Sequence, residues 1–303
     1  MDWRYKALLQ SVLSFVPAGD RLNYLFQRRV TRNLPVDDSK FAEIVSLARR
    51  HVELLTRQGR QSIADATFYE FGAGWDLIIP LSLYAFGVER QIIVDVRRLS
   101  RPALVSDTII RLQGMPAAAG LVRRPRTQLP AGAAFFPALK QQYGIDYRAP
   151  CDARRTGLDA GSIDYITSTN TLEHVPARDI PLILRECHRL LRADGEMSYQ
   201  IDYQDHYSYF DSRISAYNYL RYSDQGWRLY NQSIHYQNRL RHSDYVRLIQ
   251  EAGFEVLEQH LVQGSPDDLS TIDRLPVARR FARYDRGDLA IRSSFLALRK
   301  APP

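Results

Sequence analysis

Residues 67–76 constrain this chain more than any other stretch. A short apolar run, Thr67-Phe68-Tyr69, ends at the acidic Glu70, and Phe71 leads into Gly72-Ala73-Gly74. The apolar run Leu77-Ile78-Ile79-Pro80-Leu81-Ser82-Leu83 then reads as a buried helix. A strand, a glycine turn and a helix in this order bring bare backbone up to a nucleotide-like ligand at the carboxyl end of the first strand of a parallel sheet. Glycine is required because a Cβ would strike the ligand or forbid the turn. Taken alone, the segment is also compatible with a turn that holds nothing.

The residues around the turn narrow the ligand. A dinucleotide fingerprint wants a third glycine where Leu77 stands. Pyrophosphate favours a helix N-terminus free of acids, yet Asp76 sits there and Glu70 precedes the turn. Two carboxylates repel a phosphate and suit a ligand carrying an ammonium group. S-adenosyl-L-methionine, with an ammonium and a sulfonium, is such a ligand.

The rest of the chain follows a β-α-β order. Gln91-Ile92-Ile93-Val94-Asp95 reads as a second strand, and Asp95 lies about 20 residues beyond the glycines, the spacing at which a carboxylate reaches ribose hydroxyls. Ile145 to Ala153 reads as a third strand with Asp152 after it, and Ser162 to Val175 as a fourth strand running into a polar loop. A helix over Asp179 to Leu191, a turn at Ala193-Asp194-Gly195 and a fifth strand over Glu196 to Asp202 follow. Phe254 to Leu257 and Ser293 to Leu298 read as an antiparallel pair at the sheet edge.

This order of motifs resembles the class I S-adenosylmethionine-dependent methyltransferases over about residues 65 to 260. The resemblance implies an α/β fold with a seven-stranded Rossmann-like sheet. It implies that Glu70, Gly72, Ala73 and Gly74 form the first cofactor motif and that Asp95 holds the ribose. Asp152 and Ala153 would stand beside the adenine, and Asn170 would open the loop after the fourth strand. The chain departs from many members at Asp76, where they carry a third glycine. The run Asn170-Thr171-Leu172-Glu173 is also unlike the loop of methyltransferases that modify amino groups of DNA bases. A vaguer similarity, over residues 231–241 and the helix Ser243 to Ala252, is to methyltransferases of bacterial surface-polysaccharide biosynthesis.

At 303 residues the chain is long enough for one sizeable α/β core with additions. Its two cysteines, Cys151 and Cys187, cannot make a disulfide framework and have no metal-ligand spacing. Together with the lack of a signal-peptide pattern after Arg4 and Lys6, this sets the expectation of a cytoplasmic protein. No apolar run is long enough to span a membrane. The net charge of +7 is concentrated in the N-terminal segment (Arg4, Lys6, Arg21, Arg28, Arg29, Arg32) and in Arg97, Arg98, Arg101, Arg111, Arg123, Arg124 and Arg126. These are solvated faces, an anionic membrane contact at the inner membrane, or, less in keeping with the motifs, a nucleic-acid surface.

Residues 1–60 read as an N-terminal helical cover ahead of a methyltransferase domain over 61–303. Ser39 serves as N-cap and Gly59 as stop of the last helix, whose apolar residues run from Phe41 to Leu55. Asp20 caps an earlier helix with Leu22, Leu25, Phe26 and Val30. Residues 97–143, rich in Arg, Ala and Pro, read as a partly ordered insertion, and 203–240 as a second insertion that builds the substrate cap. Nine of the 18 tyrosines lie between Tyr199 and Tyr236, interleaved with Asp and Asn. Flat aromatic faces beside hydrogen-bonding groups suit a sugar, although tyrosines also pack a cap against a sheet.

Methyl transfer to a hydroxyl gains from a general base. His206, with Asp205 beside it at the entrance of the second insertion, is the first candidate for that base. His174, next to Glu173, is the second. Asp202, Asp205 and His206 could alternatively hold a divalent metal, but the short spacing assigns no metal site. The expected acceptor is a hydroxyl of a sugar in a bacterial surface glycan or its precursor. A small-molecule O-methyltransferase, a non-catalytic binding module and an RNA- or DNA-directed methyltransferase are the alternatives.

Overall fold

The computed structural model describes residues 2–14, 24, 28, 34–58, 62–126, 128–232 and 236–302. The expected helix over Leu22 to Val30 and the stop at Gly59 therefore fall largely or wholly outside the described residues. Seven strands are present among these: β1 (Thr67–Phe71), β2 (Arg90–Val94), β3 (Ile145–Arg148), β4 (Ile163–Thr169), β5 (Leu191–Asp202), β6 (Phe254–Val262) and β7 (Ser293–Lys300). They form one sheet in the order β3-β2-β1-β4-β5-β7-β6. β1 to β5 pair in parallel, while β7 runs antiparallel to both β5 and β6. This is the Rossmann-like α/β sheet expected from the sequence, with the order reversing between β1 and β4, the switch point at which such sheets bind ligands.

Side chains that alternate along the strands feed two cores. Phe68, Ile93 and Tyr165 face one layer, made by α2 (Asp38–Gln58), α3 (Ile78–Ala85), α4 (Pro102–Gly114) and α5 (Phe135–Tyr143). Tyr69, Val94 and Ile166 face the other, covered by α6 (Ile180–Leu190) and α8 (His242–Glu251). Strands buried on both faces read as near-continuous apolar runs, which is why β1, β2 and β4 were conspicuous in sequence.

Three expectations change. Helix α2 is part of the sheet's core: Phe41, Val45, Ala48 and Leu55 are buried in it, and His51 bridges Ser198 of β5 at 2.9 Å and Thr169 of β4 at 3.0 Å. Its start is capped by Asp37, whose carboxylate accepts from the Lys40 amide at 2.8 Å, and Ser39 already lies inside the helix. Residues 97–143 are no loose insertion, because α4 and α5 form the β2-to-β3 crossover and bury Val105, Ile109, Leu112 and Leu139. The turn at 193–195 lies within β5, where the register against β4 shifts between Ile163 and Tyr165 and the extra residues bulge outward.

The second insertion, with the short α7 (Asp224–Arg228), is built largely on a third apolar cluster. Tyr207, Tyr217, Tyr219 and Trp227 pack there with Trp3 of α1 (Trp3–Ser14), Ile272 of α9 (Pro266–Arg274) and Leu289 of α10 (Arg286–Ala290). Arg241 locks this cap to the sheet. Fully buried, it donates to the carbonyl oxygens of Tyr203 (2.8 Å), Asp288 (3.1 Å), Leu289 (3.0 Å) and Ile291 (2.6 Å) and to the Tyr219 hydroxyl. Most tyrosines of this segment thus serve packing. Among the described residues no helix is long and apolar enough to cross a membrane.

Candidate active site

The carboxyl ends of β1, β2 and β4 surround a cavity of about 500 Å³. Gly72, Gly74, Asp95, Asp152, Ala153, Asn170 and His174 all line it. Gly72 has φ +81°, and a Cβ there would stand 2.3 Å from Cγ2 of Thr171. The Thr171 hydroxyl donates to the Gly72 carbonyl at 3.2 Å, so the β1 turn and the loop after β4 are joined at this point. Gly74, φ +76°, meets nothing within 4 Å, which leaves its backbone open to the cavity. Asn170 also has a positive φ, 48°, which asparagine tolerates better than most residues. Its side-chain oxygen is buried without a hydrogen-bond partner among the described residues.

The four acidic residues have four different roles. Asp95 reaches the cavity and accepts from the Tyr147 hydroxyl at 3.2 Å. Asp152, at the rim, is held by Arg154, which also bridges to Asp179 at 2.9 Å, and these bonds keep the Asp152 carboxyl below its ordinary range. Glu70 is 1% exposed and does not line the cavity, and Ala73 packs into the sheet core instead. Asp76 precedes the start of α3, where Leu77 holds the cap position, and accepts from the Ile78 amide at 3.3 Å.

Burial pushes Glu70 up from 4.5 to about 8, with Asp95 adding to the effect. Burial also pushes Asp95 up from 3.8 to about 7, against the Tyr147 hydrogen bond and the charge of Arg97. The unfolded chain releases these protons first, whereas the folded chain holds them until about pH 7 to 8. Stability in the absence of ligand should therefore fall as pH rises through this window, by about 1.4 kcal/mol per pH unit per group. Denaturant titrations at about pH 5.5 and about pH 7.5 should differ by roughly 2–3 kcal/mol from Glu70 alone, and less in Glu70→Gln. Equal stability at the two values, or an unchanged slope in the variant, would place the protons elsewhere.

Of the two histidines only His174 lines the cavity, and their arrangement differs from the sequence expectation. Asp205 does not pair with His206. It is fully buried, accepts from the Tyr207 amide and the Asn218 side chain, both at 2.9 Å, and caps a short 3-10 turn. The carboxylate beside His206 Nε2 is Asp202, at 3.3 Å. His206 is buried and does not line the cavity; His174 does, and the two rings lie 4.9 Å apart. His174 opens onto the cavity and is exposed there, with protein packed around the rest of its ring. These surroundings, together with His206, hold its imidazole down at about 4. Its Nδ1 lies 2.7 Å from the Tyr236 carbonyl oxygen. A carbonyl only accepts, so Nδ1 carries the proton and Nε2 keeps a lone pair.

Sequence reasoning missed several lining residues. Trp75, Thr171, Tyr236 and Arg154 belong to the wall; the first three lie within stretches singled out in sequence but carried no signal of their own, and Arg154 lies just past Asp152-Ala153. The arginines of 97–126 are in good part structural. Arg123 donates to the carbonyls of Tyr84 and Val88, Arg111 to that of Val36, and Arg98 to that of Ala149. These ties fix the side chains on the protein, and Arg111 and Arg123 also pair with Asp38 and Glu89, which leaves fewer arginines to reach a phosphate.

The family model described as a methyltransferase domain matches residues 53–259. No curated protein matches the chain. Among solved structures, it is similar to a putative sarcosine dimethylglycine methyltransferase from Galdieria sulphuraria (15% identity, 85% of this chain and 86% of that one, TM-score 0.44). It is also similar to Burkholderia thailandensis 1,6-didemethyltoxoflavin-N1-methyltransferase, solved with 1,6-didemethyltoxoflavin and S-adenosylhomocysteine (14% identity, 93% and 87%, TM-score 0.45). A third is Haemonchus contortus phosphoethanolamine N-methyltransferase 2 in complex with S-adenosyl-L-methionine (13% identity, 91% and 59%, TM-score 0.46). These likenesses are too remote to bear on the acceptor.

Proposed function

The chain belongs to the class I S-adenosylmethionine-dependent methyltransferases, and from that premise we propose how its residues divide the work. The cofactor occupies the cavity between β1, β2 and β4, with its amino-acid end at the Gly72–Gly74 backbone, its ribose on Asp95 and its adenine beside Asp152 and Ala153. One observation carries this reading: residues far apart in sequence, singled out for their chemistry, line one cavity at the switch point of the sheet. Glu70 acts from beneath the turn as a buried neighbour of Asp95, and Asn170 offers its unpartnered oxygen.

The acceptor enters at the His174 end. The bound cofactor would supply an electrophilic methyl group, transferred to the acceptor oxygen as the carbon–sulfur bond breaks with its electron pair going to sulfur, and the hydroxyl proton would pass to Nε2 of His174. Because the leaving group is good, the protein mainly aligns the three atoms and excludes water. Activation of the hydroxyl falls to His174, with His206 and Asp202 behind it.

The acceptor we favour is a sugar hydroxyl of a bacterial surface glycan or its precursor. Support comes from what remains exposed at this end. Tyr209 is 56% exposed, stacks on His206 at 5.6 Å and receives a hydrogen bond from the Gln204 amide at 2.9 Å, and Tyr236 lines the cavity. A flat ring beside an amide suits a polyhydroxylated acceptor. A cytoplasmic enzyme touching the membrane through α1 fits this reading, since Tyr5 and Leu8 point outward while Trp3 anchors the helix in the cap. The burial of most cap tyrosines favours a second reading, a small hydroxylated molecule as acceptor.

Calorimetry with S-adenosylmethionine and S-adenosylhomocysteine tests the cofactor site. Asp95→Ala should weaken binding by about 1.5–3 kcal/mol, the value of a hydrogen bond to a charged group. Unchanged affinity moves the ribose elsewhere. Mass spectrometry of surface glycan from cells with and without the gene separates the two acceptors, and identical methylation in both would leave the small molecule.

A further inference from the structure

Beside the cofactor cavity, the ends of β4 and β5 bring together three side chains of metal-ligating type. Glu173, His174 and His206 each offer one ligand atom, and these atoms all lie within 4.8 Å of one another. The trio differs from the Asp202, Asp205 and His206 alternative drawn from sequence, since Asp205 is turned away and engaged with Tyr207 and Asn218.

Glu173 is the informative member. It is 2% exposed; the backbone amides of Glu173 itself and of Asp202 approach its carboxylate, but neither oxygen has a hydrogen bond of good geometry, or any side-chain donor, among the described residues. Buried polar groups in folded proteins are almost always paired, and a carboxyl left without a donor is costly unless it keeps a proton or meets a cation. A second carboxylate, Asp202, adds negative charge at the same place. The imidazoles complete the set. His174 is fixed by the Tyr236 carbonyl at 2.7 Å in the tautomer that leaves the Nε2 lone pair free for a ligand bond. His206 has Asp202 at 3.3 Å, and a carboxylate or carbonyl behind the ring is the usual orienting partner of a metal-bound histidine. Two imidazoles and one carboxylate suit first-row transition ions such as Mn(II), Co(II) or Zn(II) better than the hard, oxygen-seeking Mg(II) or Ca(II).

We propose that Glu173, His174 and His206 form a binding site for one divalent transition-metal ion. Because His174 also lines the cavity, an open position on the ion would face the acceptor, and a hydroxyl bound there would give up its proton more readily. That role rests on the methyl-transfer reading above; the occupancy itself does not.

The test uses chelator-stripped full-length protein without cofactor. Mn(II) is counted by equilibrium dialysis and elemental mass spectrometry, and Co(II) is followed by its visible absorption, which reports imidazole ligation. One ion per chain is expected, with affinity at least ~100-fold lower in Glu173→Gln, which keeps the side-chain shape, and in His206→Asn. S-adenosylhomocysteine affinity should stay within about threefold in both, which also shows that they fold. If Glu173→Gln does not fold, His206→Asn and a Mn(II)-dependent rise in melting temperature of the unmodified protein carry the same comparison. Failure to bind Mn(II) or Co(II) stoichiometrically, or equal affinity in protein and variants, overturns the site. Metal-free protein that methylates normally would overturn the acceptor role and leave the methyl-transfer reading standing. Metal binding in a protein with no cofactor affinity would do the reverse.

Discussion

Gly72→Val is expected to abolish measurable cofactor binding, with affinity at least ~100-fold lower, or about 2.7 kcal/mol. Two independent costs meet at this position. The backbone stands at φ +81°, where a β-branched residue is strained by a few kcal/mol. The added Cβ would also lie 2.3 Å from Cγ2 and 2.6 Å from Oγ1 of Thr171, so the loop after β4 must move. That loop carries Asn170 and leads into Glu173 and His174, and its displacement breaks the Thr171-to-Gly72 hydrogen bond. Gly74→Ala is the internal control. It shares a positive φ, +76°, but its Cβ meets no protein atom within 4 Å. Any loss of affinity there beyond backbone strain reports on space the ligand itself needs. Binding within threefold of normal in Gly72→Val would show that the turn is not built around the cofactor.

The cofactor half of the site was legible in sequence because it depends on backbone geometry and strand order. Glycines at a strand end and an acid at the end of the next strand are local signals, and Asp95, Asp152 and Asn170 each follow an apolar strand. The acceptor half was not legible, for a physical reason. Asp205 and Asp202 flank the same histidine in sequence, but a 3-10 turn starting at His206 turns Asp205 inward as its cap, which leaves Asp202 beside the ring. Composition misled in the same way over 203–240. A tyrosine at a ligand face and a tyrosine with its hydroxyl on a buried carbonyl look alike in sequence. Here Tyr207 donates to the Tyr230 carbonyl at 2.6 Å and Tyr217 to that of Ala290 at 2.9 Å. Arg241 gave no signal at all, since a buried guanidinium spread over five oxygens is defined by distant residues. Helix α2 was set apart from the sheet because sequence periodicity shows that a helix has an apolar face and not what that face meets.

His174→Ala should lower turnover by ~10²–10⁴ while S-adenosylhomocysteine affinity changes by no more than about threefold. The direction follows from position. His174 is the imidazole on the cavity wall, and its Nε2 lone pair is held available by the Nδ1 hydrogen bond to the Tyr236 carbonyl. Whether that lone pair takes the acceptor's proton or holds a cation beside it, its removal leaves the acceptor a protonated alcohol, and the loss falls on kcat. His206→Ala separates the two histidines. His206 is buried beside His174 and does not line the cavity, so a large loss there comes either with a displaced His174 or with loss of an ion the two histidines share. Partial recovery in His206→Asn, which can still hydrogen-bond, identifies the orienting role, whereas an equal loss in both variants identifies the shared ion. Asp205→Asn, in contrast, should change stability with little effect on kcat, because its carboxylate serves the Tyr207 amide and the Asn218 side chain. Normal turnover in His174→Ala together with a lost kcat in Asp205→Asn would reverse the assignment and restore the His206–Asp205 pair as the activating group.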